Sequence, residues 1–416
     1  VLVPLYRVAL RVGDALRGEP KRLQWPVVSV GSLSAGGAGK TPVVIALAKM
    51  LHERGWGVDV LSRGYGRSGR GVEMVAAPRE KQILRYAQDD NSLDGMAERF
   101  GDEPVLIAER AGVDVWVGAD RFEAGKEAEG LTQSSQSLTQ GFAEEKHVPH
   151  STDAQGNDNN KNKGQLHLLD DGFQHRQLGR AMDVVLVTAD DLEDTLLPAG
   201  NLREPLSALQ RADVVVVRED EFEAVGKRVW AMVREGAQMW TVRRTLRFPA
   251  PMFVFGAGLK PVAFCAIARP EGFATMLMEA GCGIVETVAF VDHHRYTIAD
   301  VQRVIEVAKG LNATGFVTTE KDAVKLSAAM RERLEAVGPL MVVALEAEFA
   351  DAEKVVATVE RFARAEEKQI PHSTDAQGND NKKSKSNGKN EKQILRSAQD
   401  DSRKWDDNPK NTGGAR

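Results

Sequence analysis

The 416-residue chain carries 55 Lys and Arg against 60 Asp and Glu, a formal net charge of −5, and 42% of its residues are hydrophobic. That apolar share excludes wholesale disorder, the lack of an uninterrupted apolar run of about 18 residues excludes a bilayer-spanning helix, and the mild acidity argues against a general nucleic-acid binder. At roughly 100–200 residues per domain, two or three domains are expected. Two cysteines, Cys265 and Cys282, cannot build a disulfide framework, so a reducing cytoplasm is expected.

In chain order, the first 18 residues set Leu5, Val8, Ala9, Val12 and Leu16 on one helical face and Arg7, Arg11, Asp14 and Arg17 mostly off it. Such a basic amphipathic helix suits either an anionic membrane surface or its own domain. Residues 25–30 read as a strand ending in a Gly-rich loop. Residues 41–54 carry Val43, Val44, Leu47, Met50 and Leu51 at helical spacing, and Gly55 ends them. Short buried strands are expected at 58–61, 166–169, 183–187 and 213–217. Strands alternating with helices indicate an α/β fold, a doubly wound parallel sheet. The alternation restarts near 261, with strands expected at 262–267, 284–290, 315–319 and 340–345. Helices are expected at 270–280, 298–309, 323–336 and 351–365. A second, smaller α/β domain joined near 219–251 is the simplest account.

Two segments occur twice: EKQILRYAQDD at 80–90 returns as EKQILRSAQDD at 391–401, and VPHSTDAQGNDN at 148–159 returns as IPHSTDAQGNDN at 370–381. They do not carry the apolar period of a structural repeat and sit in polar surroundings. We read 77–93 and 130–163 as insertions and 366–416 as a disordered tail. The expected domains are therefore an N-terminal membrane-surface helix (1–24), a phosphate-loop domain (25–225), the smaller domain with its closing helix (226–365) and the tail.

Gly36-Gly37-Ala38-Gly39-Lys40-Thr41 lies between an expected strand and helix. Glycines let backbone N–H groups close around an anion, and the helix N-terminus adds partial positive charge. Lys40 would reach the β- and γ-phosphates of a nucleotide and Thr41 would ligate Mg2+. A glycine-rich turn alone does not account for the Lys–Thr pair. Ala35 stands where partitioning-type ATPases carry a lysine, and no base-reading Asn-Lys-x-Asp motif of GTPases is found, so both of those readings fall.

Asp170-Asp171-Gly172 ends an apolar strand, the place where this fold holds Mg2+ and its waters. Asp102-Glu103-Pro104 is a second acidic pair, suited to an acceptor hydroxyl or a metal, or to capping an element. Arg63, Arg67 and Tyr65 sit in a Gly-rich loop after a strand, and Arg121 and Arg203 are further candidates for an anionic ligand. In Asp292-His293-His294-Arg295-Tyr296 the adjacent histidines point apart, so an acid–base histidine is favoured over a zinc site. The charges of Thr318-Thr319-Glu320-Lys321-Asp322 suit either a structural or a substrate-facing role.

Together VGSLSAGGAGKTP, SRGYGR, GDEP, LLDDGFQH, PAGNLREP, FVDHHRYT and TEKDAVK, in this order, resemble the tetraacyldisaccharide 4′-kinase family. The resemblance runs from about residue 4 to 365 and crosses the two internal insertions. The family also carries Ser at the position of Ser34. It implies a kinase that transfers the γ-phosphate of ATP to the 4′-hydroxyl of a tetraacylated glucosamine disaccharide 1-phosphate, giving lipid IVA. It implies a monomer on the anionic, cytoplasmic face of the inner membrane.

By the same resemblance, Ser34, Ala35, Gly36, Gly37, Ala38, Gly39, Lys40 and Thr41 hold the nucleotide. Asp102 matches the catalytic acid and pairs with His293 to deprotonate or orient the hydroxyl, with Lys40 also in the catalytic set. Thr41, Glu103, Asp170 and Asp171 organise Mg2+, and which of Asp170 and Asp171 is the direct ligand stays open. Gln174 and His175 complete the site, and Arg63, Tyr65, Arg121 and Asn201 lie near nucleotide or lipid headgroup. A kinase acting on a soluble metabolite, and a nucleotide-binding scaffold, are the competing readings.

Overall fold

The computed structural model describes residues 2–77, 95–130, 163–249 and 260–368. The repeated segments lie wholly outside these residues, as do the expected insertions and the tail apart from residues 77, 130, 163 and 366–368. Among the described residues the chain runs α1 (Leu2–Ala15), β1 (Val27–Ser32), α2 (Lys40–Glu53), β2 (Gly57–Ser62), β3 (Glu73–Val75), α3 (Met96–Phe100), α4 (Asp102–Ala111), β4 (Val115–Val117), α5 (121–130), β5 (Gln165–Asp170), β6 (Met182–Val187) and α6 (Ala189–Glu193). It continues through β7 (Val214–Arg218), α7 (Phe222–Trp230), β8 (Gln238–Arg247), β9 (Pro261–Cys265), α8 (Pro270–Glu279), β10 (Glu286–Ala289), α9 (Ile298–Gly310), β11 (Gly315–Thr319), α10 (Glu320–Ala323), α11 (Ala328–Glu335), β12 (Leu340–Phe349) and α12 (Ala352–Glu367).

The strands form one sheet in the order β10-β9-β11-β12-β8-β7-β6-β1-β5-β2-β4-β3. Pairing is parallel except for β12 with β8 and β3 with β4. The central strands are short, Val-rich and buried on both faces, as a parallel sheet covered by helices requires. On one face Val44, Leu47, Ile107 and Val359 from α2, α4 and α12 pack on Val28, Val60, Leu168 and Val184. On the other, Leu209, Val225 and Val229 cover Val185, Val187 and Val215.

Residues 219–251, expected to join two domains, contain α7 and β8 rather than only a linker. β8 pairs with β7 on one side and with the second half of β12 on the other, while the first half of β12 pairs with β11. β12 thus carries the sheet from one half of the molecule into the other.

The single helix expected at 323–336 is instead α10 and α11. Ser327 in extended conformation caps α11 by accepting from the Met330 N–H, which ends the turn before it. α1 is helical as expected, and Val3 and Tyr6 pack on the core, with the Tyr6 hydroxyl donating to the Arg203 carbonyl at 2.9 Å. Leu2, Leu5, Val8, Val12 and Leu16 remain exposed. Among the described residues no helix is long and apolar enough to cross a membrane.

Candidate active site

The parallel order places the C-terminal ends of β1, β2 and β5 side by side, where a doubly wound sheet binds its ligands. β1 runs into the phosphate loop and α2 begins at Lys40. Gly36, Gly37 and Gly39 have φ of 77°, 67° and 83°, a left-handed conformation that glycine adopts without Cβ strain. The far half of the molecule reaches over this loop: a Cβ on Gly37 would meet Arg269 Nε at 3.1 Å, and one on Gly36 would meet the Ala268 Cβ at 3.6 Å. The Lys40 ammonium donates to Ser32 Oγ at 3.2 Å and pairs with Asp171 at 3.4 Å.

Asp170 and Asp171, adjacent in sequence, have different surroundings. Arg203 grips Asp171 with two guanidinium N–H groups, each at 2.7 Å. Burial alone would push the Asp171 carboxyl up. The Arg203 hydrogen bonds and the Lys40 charge outweigh it and hold Asp171 well below the usual range. The Asp170 carboxylate accepts from Ser62 Oγ at 3.1 Å, while its Oδ1 is buried and unpartnered. Burial, with the Glu103 and Asp171 charges added, pushes Asp170 up to about 7.

The second acidic pair opens α4. The Glu103 carboxylate accepts from Thr41 Oγ1 at 3.3 Å, linking the phosphate loop to the acids. Asp102 is 6% exposed; its Oδ1 accepts from the Glu103 N–H at 3.0 Å and its Oδ2 lies 3.2 Å from His293 Nδ1. Burial raises Asp102, but the His293 hydrogen bond and the Lys321 and Lys325 ammoniums outweigh it, leaving Asp102 below its ordinary value. The same hydrogen bond raises His293 against burial and Lys321. His293 has φ of 59°, an unusual backbone for a non-glycine residue, of the kind that clusters at functional sites. Its neighbour His294 pairs with Asp300 at 3.0 Å and stacks on Phe290, a structural role.

The dyad stands between two cavities. One, of about 630 Å³, holds the phosphate loop, Glu103, Asp190, Arg218, Arg244, Arg269 and one side of His293. The other, of about 300 Å³, is lined by Asp102, His293, Tyr65, Arg295, Tyr296 and Lys325. A larger groove of about 1170 Å³ between α7 and α12, around Trp230 and Arg361, is lined by none of the site residues. Phosphate loop, paired acids and dyad thus line two neighbouring cavities that share His293.

A family model described as tetraacyldisaccharide-1-P 4′-kinase matches residues 2–364. The tetraacyldisaccharide 4′-kinase of Koribacter versatilis is 36% identical over 352 residues, covering 82% of this chain and 91% of the relative. That of Syntrophus aciditrophicus is 33% identical over 359 residues, covering 79% and 84%. The chain belongs to the tetraacyldisaccharide 4′-kinase family. LpxK from Aquifex aeolicus, crystallised in complex with ATP, superposes with a TM-score of 0.59 at 26% identity, covering 87% of this chain and 97% of that one. The fold is that of this kinase family, an α/β sheet of P-loop NTPase type.

In this family member, the remaining expected residues divide into those that face the acids and those that do not. Arg121 is 6% exposed, its Nε is buried and unpartnered, and burial with the nearby Arg63 charge lowers it. Burial, with Arg121 next, pulls His175 down to about 4, so the imidazole is neutral near pH 7. Gln174 donates to the Ser32 carbonyl at 2.9 Å, and its Oε1 is buried and unpartnered. The Tyr65 ring lies 5.2 Å from that of His293. Asn201 meets the phosphate loop through its backbone, whose carbonyl accepts from the Ala35 N–H at 2.9 Å, while its side chain donates to Asp194. Arg203, which the sequence offered as an anion ligand, instead grips Asp171.

Sequence reasoning missed Arg244 and Arg269, which lie after long stretches without motif character, and it left Lys321 unassigned. In β8, Arg244 shares the strand parity of Trp240, Val242 and Leu246, and that was the one signal that it faces inward.

Proposed function

We propose that the chain transfers the γ-phosphate of ATP to the 4′-hydroxyl of a tetraacylated glucosamine disaccharide 1-phosphate. The observation that carries this reading is the 3.3 Å approach of Thr41 to Glu103, next to the Asp102–His293 pair. The loop that takes the terminal phosphates thereby meets the immediate neighbour of Asp102, the group that can receive the acceptor's proton. ATP enters the cavity over Gly36–Thr41 and the acceptor enters from the cavity beside Tyr65.

The residues fit a magnesium ion. A buried, unpartnered carboxylate oxygen on Asp170 stands among like charges that a divalent cation would relieve. Thr41, Glu103 and Asp170 would hold the ion, while Asp171, engaged by Arg203, positions Lys40. When bound, Mg2+ supplies charge neutralisation of the phosphoryl oxygens. Lys40 and the α2 N-terminus stabilise the same oxygens in a loose, metaphosphate-like transition state. Asp102, hydrogen-bonded to His293, orients the hydroxyl and takes its proton as the O–P bond forms and the bond to the ADP leaving oxygen breaks. The halves of the sheet that β12 joins flank this cleft, and closing it around the substrates excludes water.

The exposed stripe Leu5, Val8 and Val12 on α1, continued by Leu16 just after it, with a local excess of three positive charges over residues 1–25 (five basic, two acidic), rests the enzyme on an anionic membrane where its lipid resides. We assign that surface to the cytoplasmic side of the inner membrane and take the enzyme to act as a monomer. The test offers the purified full chain ATP with either tetraacyldisaccharide 1-phosphate in micelles or soluble sugar phosphates. Phosphorus NMR showing a new monoester on the 4′ carbon of the lipid supports the reading. Transfer to the soluble sugars alone overturns it in favour of a metabolite kinase.

A further inference from the structure

Lys321 is a charged group of the cleft that the reaction above does not use. It lies in α10, a single turn locked from beneath. The buried Asp322 accepts from the Ala266 N–H at 3.1 Å and from Thr319 Oγ1 at 2.7 Å, and pairs with Lys325 at 2.8 Å. The Ala266 carbonyl in turn accepts from the His293 N–H at 3.2 Å, so one buried carboxylate anchors the backbone of both Lys321 and His293. With that turn fixed, the Lys321 ammonium reaches Glu103 Oε1 at 3.2 Å and His293 Nε2 at 3.3 Å, with Asp292 at 3.9 Å.

An ammonium has only protons to give, so a hydrogen bond to Nε2 requires a lone pair on that nitrogen. A neutral imidazole with its lone pair at Nε2 carries its single proton at Nδ1, the nitrogen that faces Asp102. The partner of one ring nitrogen sets the state of the other. Glu103, in turn, keeps the ammonium in place and belongs to the acids beside Thr41.

We propose that Lys321 is a positioning residue for phosphoryl transfer: its ammonium ties Glu103 to His293 Nε2 and so fixes the ring with Nδ1–H toward Asp102. This rests on the kinase reading for its catalytic consequence but not for the tautomer itself. Without Lys321, the ring is free to rotate or to place its proton on Nε2, and Asp102 loses the donor that orients it. In a hydrolase triad, the same kind of tautomer error is costly.

The experiment compares the full chain with Lys321→Met and Lys321→Arg, reading steady-state kinetics, the ¹⁵N NMR signals of the His293 ring and thermal unfolding. For Lys321→Met, kcat is expected to fall by at least about 10-fold while the ATP KM stays within about threefold. The wild-type ring is expected to show Nδ1 protonated and Nε2 bare, and the Met variant a mixture; Lys321→Arg restores the wild-type signals and part of kcat. A Met variant with kcat within about twofold of wild type, or with wild-type ring signals, overturns the proposal, as does a loss confined to the ATP KM or to the unfolding temperature. Should Lys321→Met not fold, Lys321→Gln is read by the same criteria. Wild-type protein that shows the Lys321-dependent tautomer but phosphorylates no lipid overturns the kinase reading and leaves Lys321 in its place.

Discussion

His293 Nδ1 lies 3.2 Å from Asp102 Oδ2 although 191 residues separate the two in sequence. Asp102 is delivered by the first turn of α4 and His293 by the loop after β10, so the pair closes only when both halves of the sheet are in place. Arg295 adds a second tie across the same seam, donating to the Gly66 carbonyl at 2.6 Å and to Glu98 at 3.1 Å.

Asp102→Asn and His293→Ala should each lower kcat by about 10²–10⁴, the span general acid–base groups contribute, with the ATP KM little changed. On the proposed mechanism the two act as a unit, so the double variant should cost little more than either single one. Steady-state kinetics on all three decides. Additive losses would show that the two residues act separately.

Arg203→Lys keeps the charge but removes the two-pronged grip on Asp171. We expect kcat to fall by about 10-fold or more, because Asp171 is then free to move and no longer positions Lys40. Full activity in this variant would mean that the 2.7 Å pair is dispensable.

A pH prediction concerns a group that lines neither of the two cavities. His167 in β5 is fully buried, with Nδ1 2.6 Å from Asp59 and Nε2 3.5 Å from Glu129, and it stacks on Trp25. Burial pulls the imidazolium down, but Asp59 and Glu129 outweigh it and raise His167 to about 9. A raised folded-state value contributes stability that is complete below the unfolded value of about 6.5 and is lost as pH climbs through about 9. Unfolding temperatures should therefore fall over that interval in wild type and flatten in His167→Gln. Removing one partner of a buried charged set costs about 3–5 kcal/mol, so the variant should also be markedly less stable at pH 6. A wild-type stability level across pH 6.5 to 9 would contradict the charged-histidine assignment.

Leu5→Ser with Val8→Ser should weaken binding to anionic vesicles by about 10-fold or more while leaving transfer in detergent micelles intact, since both side chains point away from the core. Vesicle flotation measures the first and the micelle assay the second. Unchanged flotation would remove α1 from the membrane surface.

The phosphate loop was legible because its residues are contiguous and its strand–loop–helix frame shows in the hydrophobic pattern. Asp170 and Asp171 were legible as a pair but not as opposites, since their difference comes from Arg203, more than thirty residues away. The dyad was reached only through the family resemblance; spacing says nothing about partners drawn from two halves of a sheet. His167 was hidden within Leu166-His167-Leu168-Leu169, which reads as an apolar strand, because its partners Asp59 and Glu129 come from β2 and α5. β8 escaped notice because it is only partly buried and its second half, Thr241 to Arg247, is mostly Arg and Thr. Lys321 was seen as a charge without a destination, which the capped turn at Thr319 supplies.

The most direct measurement is transfer of label from γ-³²P ATP to tetraacyldisaccharide 1-phosphate in detergent micelles, with Lys40→Ala run alongside. Label in the lipid with the native chain, and none with the variant, is the expected result. Nucleotide binding by the native chain with no label in the lipid would contradict the account.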